Sequence, residues 1–339
     1  MSTTEPIAEH ASAAGVATPA TSGHFKYLDT RVESSLYRNG KVLTRRDPDG
    51  SDSGLVGVTL EAREMTVSNA RLLSGTARRT IATHGFELLS RPLEDTTLDF
   101  FDPLKVVTDY YRQCARIVAE ATGAQAYAFD HNLRSASGKQ GQQRIRGGQQ
   151  VQGPAHLVHG DYTLTSAPQR LRQLARPPSG NDTLCAVLNA DRSLINDTMV
   201  RRALAPDGRF AIVNLWRNIA AEPVATHPLA LCDGQSVLPQ DLVVFEIHYQ
   251  DRIGENYFAK HAPRHRWYYY PAMTGSEALL IKQWDSAGTL ALSGGAKGDD
   301  QDLTAPCTFS FHSAFEDPTT PPDAPDRWSI EVRCIVIYD

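Results

Sequence analysis

The chain has 339 residues and a formal net charge of −5, with 34 Lys+Arg and 39 Asp+Glu mixed along its length. That balance offers no electrostatic footprint for nucleic acid or an anionic membrane. With 41% hydrophobic residues, a chain of this length can bury a core without metal or disulfide staples, and no apolar run reaches the ~18 residues of a membrane span. The five cysteines (Cys114, Cys185, Cys232, Cys307, Cys334) are widely spaced and form no Cys-x-x-Cys, which reads as reduced thiols in a cytoplasmic protein. The first residues lack the basic start and apolar stretch of a secretory signal.

In chain order, residues 1–24 are rich in Ala, Thr, Ser and Gly without apolar periodicity, and are expected to be a disordered tail. Residues 25–339 are expected to form one domain. A first short strand fits Phe25 to Tyr37, Asp47 to Ser53 is turn chemistry, and Val56 to Val67 and Glu87 to Ser90 read as strands. The clearest helix is Pro103 to about Thr122, with Asp102 as N-cap and Gly123 as stop. Its stripe of Val107, Tyr110, Cys114, Ile117, Val118 and Ala121 predicts packing on something large. Tyr127 to Phe129 suggests a strand. Ser135 to Gly153 is Gly- and Gln-rich, so it is expected to stay out of the core, as a solvated loop or a lid. Helices are expected from about Ala167 to Ala175, with Ser166 as cap, and from about Asp197 to Leu204.

From Phe210 the texture changes. Phe210 to Trp216, Leu242 to Tyr249, Trp267 to Tyr270, Ala278 to Trp284, Cys307 to His312 and Trp328 to Tyr338 are short runs rich in Val, Ile, Phe and Tyr, most of them separated by turn residues. Many short strands of this kind predict a sandwich or jelly roll rather than βαβ units. The expected fold is therefore mainly β with flanking helices (α+β). Helical support lies at about 100–205, and a jelly-roll core includes 155–165 and 210–338.

One stretch carries chemistry, Val158-His159-Gly160-Asp161-Tyr162-Thr163. Residues two apart on a strand share a face, so His159 and Asp161 can aim an imidazole and a carboxylate at one point. About one such pair arises by chance among 11 His and 39 Asp+Glu, so its partners decide its meaning. Two histidines and one carboxylate make the facial triad of non-heme Fe(II) oxygenases, and His312 is placed to be the third ligand. Such a site leaves open positions for a 2-oxo acid and O₂. The far carboxylate of that acid needs an arginine, whose planar fork binds carboxylate bidentately. Arg327 and Ser329, two apart on the last strand, suit that role.

These segments resemble one family. HGDYT (159–163), NLWRNI (214–219), PLALCD (228–233), HRWYYYP (265–271), KQWDS (282–286), HSAFEDP (312–318) and RWSIEVR (327–333) are similar to those of the Fe(II)/2-oxoglutarate-dependent oxygenases that include fungal gibberellin desaturase and the bacterial cephamycin 7-methoxylation protein. The resemblance spans roughly residues 60–338. It implies a double-stranded β-helix with His159, Asp161 and His312 as iron ligands. Either Arg327 or Arg333 would anchor 2-oxoglutarate; spacing from His312 favours Arg327. Asn218 stands where many relatives have proline, a departure that touches only local geometry.

Blander readings exist for each residue. An arbitrary His-x-Asp is more often a core histidine beside a turn carboxylate, and Arg327 or Arg333 can pair with Glu331. Asn214 can face 2-oxoglutarate and Trp216 the substrate, or both can serve packing. Arg134 and Arg146 can meet an acidic substrate or lie solvated. Tyr268, Tyr269 and Tyr270 cannot all face one way and are expected to pack. Gly294 to Gly298 lacks the spacing of a phosphate loop. The leading expectation is an enzyme that uses Fe(II), 2-oxoglutarate and O₂, through a ferryl intermediate, to hydroxylate or desaturate a small molecule. No nucleic acid or membrane partner is expected, and a homo-oligomer is left open. The alternatives are a jelly-roll binding protein without turnover, a hydrolytic zinc site that would leave Arg327 and Ser329 without a role, and a methyltransferase, which would need a Gly-rich turn after an early strand.

Overall fold

The computed structural model describes residues 18–46, 53–146, 150–180, 182–189, 191–250, 252–293 and 306–339. The strands are, in chain order, Ala20–Leu28 (β1), Leu43–Arg45 (β2), Leu60–Asn69 (β3), Phe86–Ser90 (β4), Gln125–Arg134 (β5), His159–Gly160 (β6) and Phe210–Asn218 (β7). They continue with Leu229–Cys232 (β8), Leu242–His248 (β9), Ile253–Ala259 (β10), Trp267–Tyr269 (β11), Glu277–Asp285 (β12), His312–Ala314 (β13) and Ser329–Ile337 (β14). The helices are Pro103–Lys105 (α1), Tyr111–Thr122 (α2), Ala136–Gln140 (α3), Ser166–Gln173 (α4), Asp197–Ala203 (α5) and Thr289–Ser293 (α6).

Two sheets result. The larger runs β1-β3-β11-β8-β13-β6-β10-β9-β2, and the smaller β4-β12-β7-β14-β5. One hydrophobic cluster joins them, with Tyr257, Trp267 and Phe311 from the larger side and Leu215, Leu280 and Val332 from the smaller. This is the jelly-roll, double-stranded β-helix arrangement expected of the sequence. Every residue of β7 is buried, because helix α2 covers the other face of the small sheet. Helix α2 buries Cys114, Ile117 and Val118 of the helical-period stripe that the sequence shows, and Tyr111 beside them. Asp102 caps α1 by accepting from the Leu104 and Lys105 amides, and Gly123 ends α2 at φ 66°. Between α1 and α2, Val106–Tyr110 is wound as a π-helix, so the expected single helix carries a bulge.

Other expectations are corrected. Strand β1 begins at Ala20, inside the presumed tail, because pairing with β3 from Ala20↔Ser68 to Leu28↔Leu60 extends it. The Ser135 to Gly153 stretch is not excluded from the core: it holds α3, and Ile145 and Val151 are buried in the main cluster. Ser166 does not cap α4; the Thr163 hydroxyl accepts from the Thr165 and Ser166 amides. The strand expected to end at His312 begins there. Strands β8 and β10 were not foreseen. Tyr269 packs in the main cluster while Tyr268 and Tyr270 pack in a second one, the division that a strand imposes. The five cysteines are unpaired and only Cys185 is exposed. Among the described residues no helix is long and apolar enough to cross a membrane. The Asp47 to Ser53 turn lies almost wholly outside the described residues, and Gly294 to Gly298 entirely so.

Candidate metal and co-substrate site

His159 and His312 face each other directly across the β6–β13 pair, with ring centroids 4.4 Å apart. Asp161 follows β6 at once. One ligand atom from each of His159, Asp161 and His312 lies within 4.8 Å of the others. Nε2 of His159 is 3.6 Å from Oδ1 of Asp161. Gly160 allows the close approach of this segment to the core, since a Cβ there would meet the Phe309 ring at 3.1 Å.

The surroundings orient each group. His159 Nδ1 lies 2.7 Å from the Leu157 carbonyl, which requires the proton on Nδ1 and leaves the Nε2 lone pair free. His312 Nδ1 sits 3.5 Å from the Ser310 carbonyl in the same sense. Burial, then the neighbouring His312, pushes the His159 pKa down to about 4 against the pull of Asp161. Burial likewise lowers His312. Both imidazoles are therefore neutral near pH 7, as metal ligands must be. Burial alone would raise the Asp161 pKa, but Arg333, His312 and His159 outweigh it and hold the carboxyl well below the usual range.

Asp161 is held at three points. Its Oδ2 accepts from Asn214 Nδ2 at 3.1 Å and from Arg333 Nε at 3.4 Å, and its amide donates to Gln283 Oε1 at 3.2 Å. Asn214, Arg333 and Gln283 all belong to the small sheet, where Arg333 pairs with Asn214 across β14–β7. Oδ1 is thereby left to the side of His159. This places two of the sequence-derived residues differently from expectation. Asn214 and Arg333 are occupied with Asp161 rather than turned to a co-substrate, and Arg333 also pairs with Asp130 at 2.8 Å and Glu331 at 3.5 Å. Gln283 was not foreseen; its strand segment alone does not say which residue turns inward, and the register shift between Lys282 and Trp284 decides it.

A narrow recess of about 20 Å³ runs from His159 and His312 to Trp216, Arg327 and Arg134. Arg327 precedes β14 and is buried, with its guanidinium 5.7 Å from the Trp216 ring and one donor on the His227 carbonyl. His227 turns that carbonyl inward through a left-handed backbone, φ 45°. Arg327 Nε and Ser329 Oγ are buried without a hydrogen-bond partner among the described residues. Burial, then the charge of Arg134, lowers the Arg327 pKa to about 9. A buried cation and hydroxyl left open in this way fit a carboxylate.

A second cavity of about 550 Å³ adjoins the same histidine and is lined by Asp161, Tyr162, Asp130, Arg134, Glu255 and Phe258 among others. Arg134 borders both cavities. Arg146 borders neither: it is exposed and pairs with Asp99 at 3.0 Å and Asp102 at 3.2 Å.

A family model described as an oxidoreductase/YMDC permease-like domain matches residues 26–337. An uncharacterised protein in the dcmA 3′ region of Methylophilus leisingeri is 44% identical over 194 residues, covering 57% of this chain and 88% of that protein. An alpha-ketoglutarate-dependent dioxygenase, tstK, of Talaromyces stipitatus is 27% identical over 294 residues, 86% of this chain and 91% of that one. Among solved structures, an iron and alpha-ketoglutarate-dependent endoperoxidase, NvfI, superposes with a TM-score of 0.68 at 21% identity, covering 94% of this chain and 98% of that one. The last of these bears on the fold, which it shares.

Proposed function

The chain belongs to the oxidoreductase/YMDC permease-like domain family, and we propose that it is an Fe(II)/2-oxoglutarate-dependent dioxygenase that hydroxylates or desaturates a small molecule. The observation that carries this reading is the convergence of the His159, Asp161 and His312 ligand atoms beside a buried arginine whose Nε has no hydrogen-bond partner among the described residues. The names of the relatives, an alpha-ketoglutarate-dependent dioxygenase among them, support it.

His159 and His312 offer Nε2, and Asp161 offers Oδ1, to Fe(II). Bound there with 2-oxoglutarate and O₂, the metal supplies an oxidant strong enough for an unactivated C–H bond. The chain supplies placement. Asn214, Arg333 and Gln283 fix the Asp161 carboxylate, so the ligand set does not reorganise as substrates come and go. Arg327 and Ser329 take the far carboxylate of 2-oxoglutarate, with Trp216 as one wall of the recess, and this directs its other end toward the histidines. The larger cavity receives the substrate on the Asp161 side.

Purified protein mixed anaerobically with Fe(II) and 2-oxoglutarate is expected to show a visible charge-transfer band that His159→Ala abolishes. Identical featureless spectra from both proteins would sink the proposal.

A further inference from the structure

We infer that the primary substrate is an anion, carrying a carboxylate or phosphate group that Arg134 binds. This rests on the dioxygenase reading above. The wall of the 550 Å³ cavity holds four arginines, Arg46, Arg134, Arg252 and Arg333, against three carboxylates, Asp130, Asp161 and Glu255. Each carboxylate already faces a cation from the chain itself, with Asp130 and Asp161 sharing one. Asp130 lies 2.8 Å from Arg333, Asp161 lies 3.4 Å from the same guanidinium, and Glu255 lies 2.8 Å from Arg38. Arg134 is different. Its hydrogen bond runs from Nη1 to the Gly153 carbonyl at 3.0 Å, and among the described residues no carboxylate oxygen comes within 4.0 Å of it. Burial is the main cause that lowers its pKa, against the pull of Glu331.

Loading the site does not give Arg134 a partner. A divalent metal adds two positive charges, the dianion of 2-oxoglutarate offsets them, and Arg327 already faces the recess meant for its far carboxylate. Arg134 stays on the cavity wall with no carboxylate at ion-pair distance among the described residues. At the same cavity Tyr249 lies between two more guanidinium groups, Arg252 at 4.5 Å and Arg46 at 5.6 Å from its ring. Such a wall raises the local concentration of anions. Amide side chains from Asn132, Gln152, Gln169 and Asn256 line the remainder and suit a polar skeleton rather than a bare hydrocarbon.

Two carboxylate sources can reach Arg134, the substrate and 2-oxoglutarate itself, and the experiment separates them. Equilibrium dialysis would follow radiolabelled benzoate and phenyl phosphate, with benzamide as the neutral match, against the anaerobic Fe(II)/2-oxoglutarate complex. Wild-type protein should retain at least one of the anions and not benzamide. Arg134→Gln should weaken that retention about tenfold or more, and 2-oxoglutarate affinity, read from the charge-transfer titration, by a clearly smaller factor, since Arg134 also borders the recess. Arg134→Lys should restore part of the anion binding and guards against a folding defect in the glutamine variant. The inference is overturned if wild type retains neither anion, if benzamide is held as well as benzoate, or if Arg134→Gln loses 2-oxoglutarate and keeps the anion. The band of the wild-type complex keeps the two failures apart, since its absence would fall on the dioxygenase reading instead.

Discussion

Two buried polar clusters sit in the small sheet and its neighbours, and they are built oppositely. At one, Lys282 Nζ donates to Asp285 at 2.9 Å and to the Ala82 and Cys307 carbonyls at 3.1 Å each, using all three of its donors. Asp285 is also gripped through both oxygens by Arg209, at 3.0 and 2.8 Å. At the other, Arg327 spends a donor on one carbonyl, and its Nε, the Ser329 hydroxyl, Asn214 Oδ1 and Gln283 Nε2 are buried without partners. Buried polar groups are almost always satisfied, so the closed cluster reads as architecture and the open one as a place prepared for something else. Arg217 qualifies the contrast. It too is a fully buried guanidinium: the Tyr110 hydroxyl and the Arg91 and Gly275 carbonyls accept from its Nε and Nη1, and its Nη2 is buried without a partner among the described residues. An open donor on a buried arginine is therefore not the signal by itself; the signal is one that shares a recess with His159 and His312.

The largest effect should come from breaking the closed cluster. Lys282→Ala removes one partner of a buried pair and orphans two carbonyls, a change that costs about 3 kcal/mol, at the low end of such losses because Arg209 still neutralises Asp285. Denaturant unfolding would measure it, and 2-oxoglutarate affinity of the folded fraction should be unchanged. A loss below about 1 kcal/mol would show that the closed cluster is not the structural element claimed here.

Arg327→Met tests the open side. Methionine fills similar space without an unneutralised charge, so stability should hold or rise. Affinity for 2-oxoglutarate should fall by about 1.5–3 kcal/mol, roughly 10- to 100-fold, the worth of a hydrogen-bonded charge. The charge-transfer titration reads the affinity and the melting temperature reads the stability. If the variant is destabilised like Lys282→Ala and keeps its affinity, the distinction between the clusters collapses.

The comparison also explains what could be read from the chain. His159, Asp161 and His312 are legible because the chemistry demands those residue types. Their convergence needed only that β6 lie beside β13, which it does. The roles of Asn214, Arg333 and Gln283 were hidden, since they depend on cross-strand register and on a shift beside Lys282 that no local pattern encodes. Strand β8 is four residues, too short for a period to show. Strand β10 buries only Glu255, Tyr257 and Ala259, and a buried glutamate disguises the alternation. Arg134 ends β5 and Arg146 lies twelve residues on in the polar stretch; they look alike in sequence, yet one faces two cavities and the other is paired at the surface. Which of them is which is a tertiary fact.

Arg333 joins the two classes and gives the subtlest test. It closes on Asp130, Asp161 and Glu331 as a structural arginine would, but one of those carboxylates is also proposed to bind metal. Arg333→Gln should weaken Fe(II) binding about 10-fold, near the lower limit for groups that orient a ligand, because Asn214 and Gln283 still hold Asp161. Competition with a chelator would measure this. Once loaded with metal, the variant should bind 2-oxoglutarate within about twofold of wild type, since Arg327 and not Arg333 borders the recess. Unchanged metal affinity would move Arg333 wholly to the structural side. A loss of 2-oxoglutarate binding as large as that of Arg327→Met would return the anchoring role to Arg333, and the orphaned Nε of Arg327 would then need another explanation.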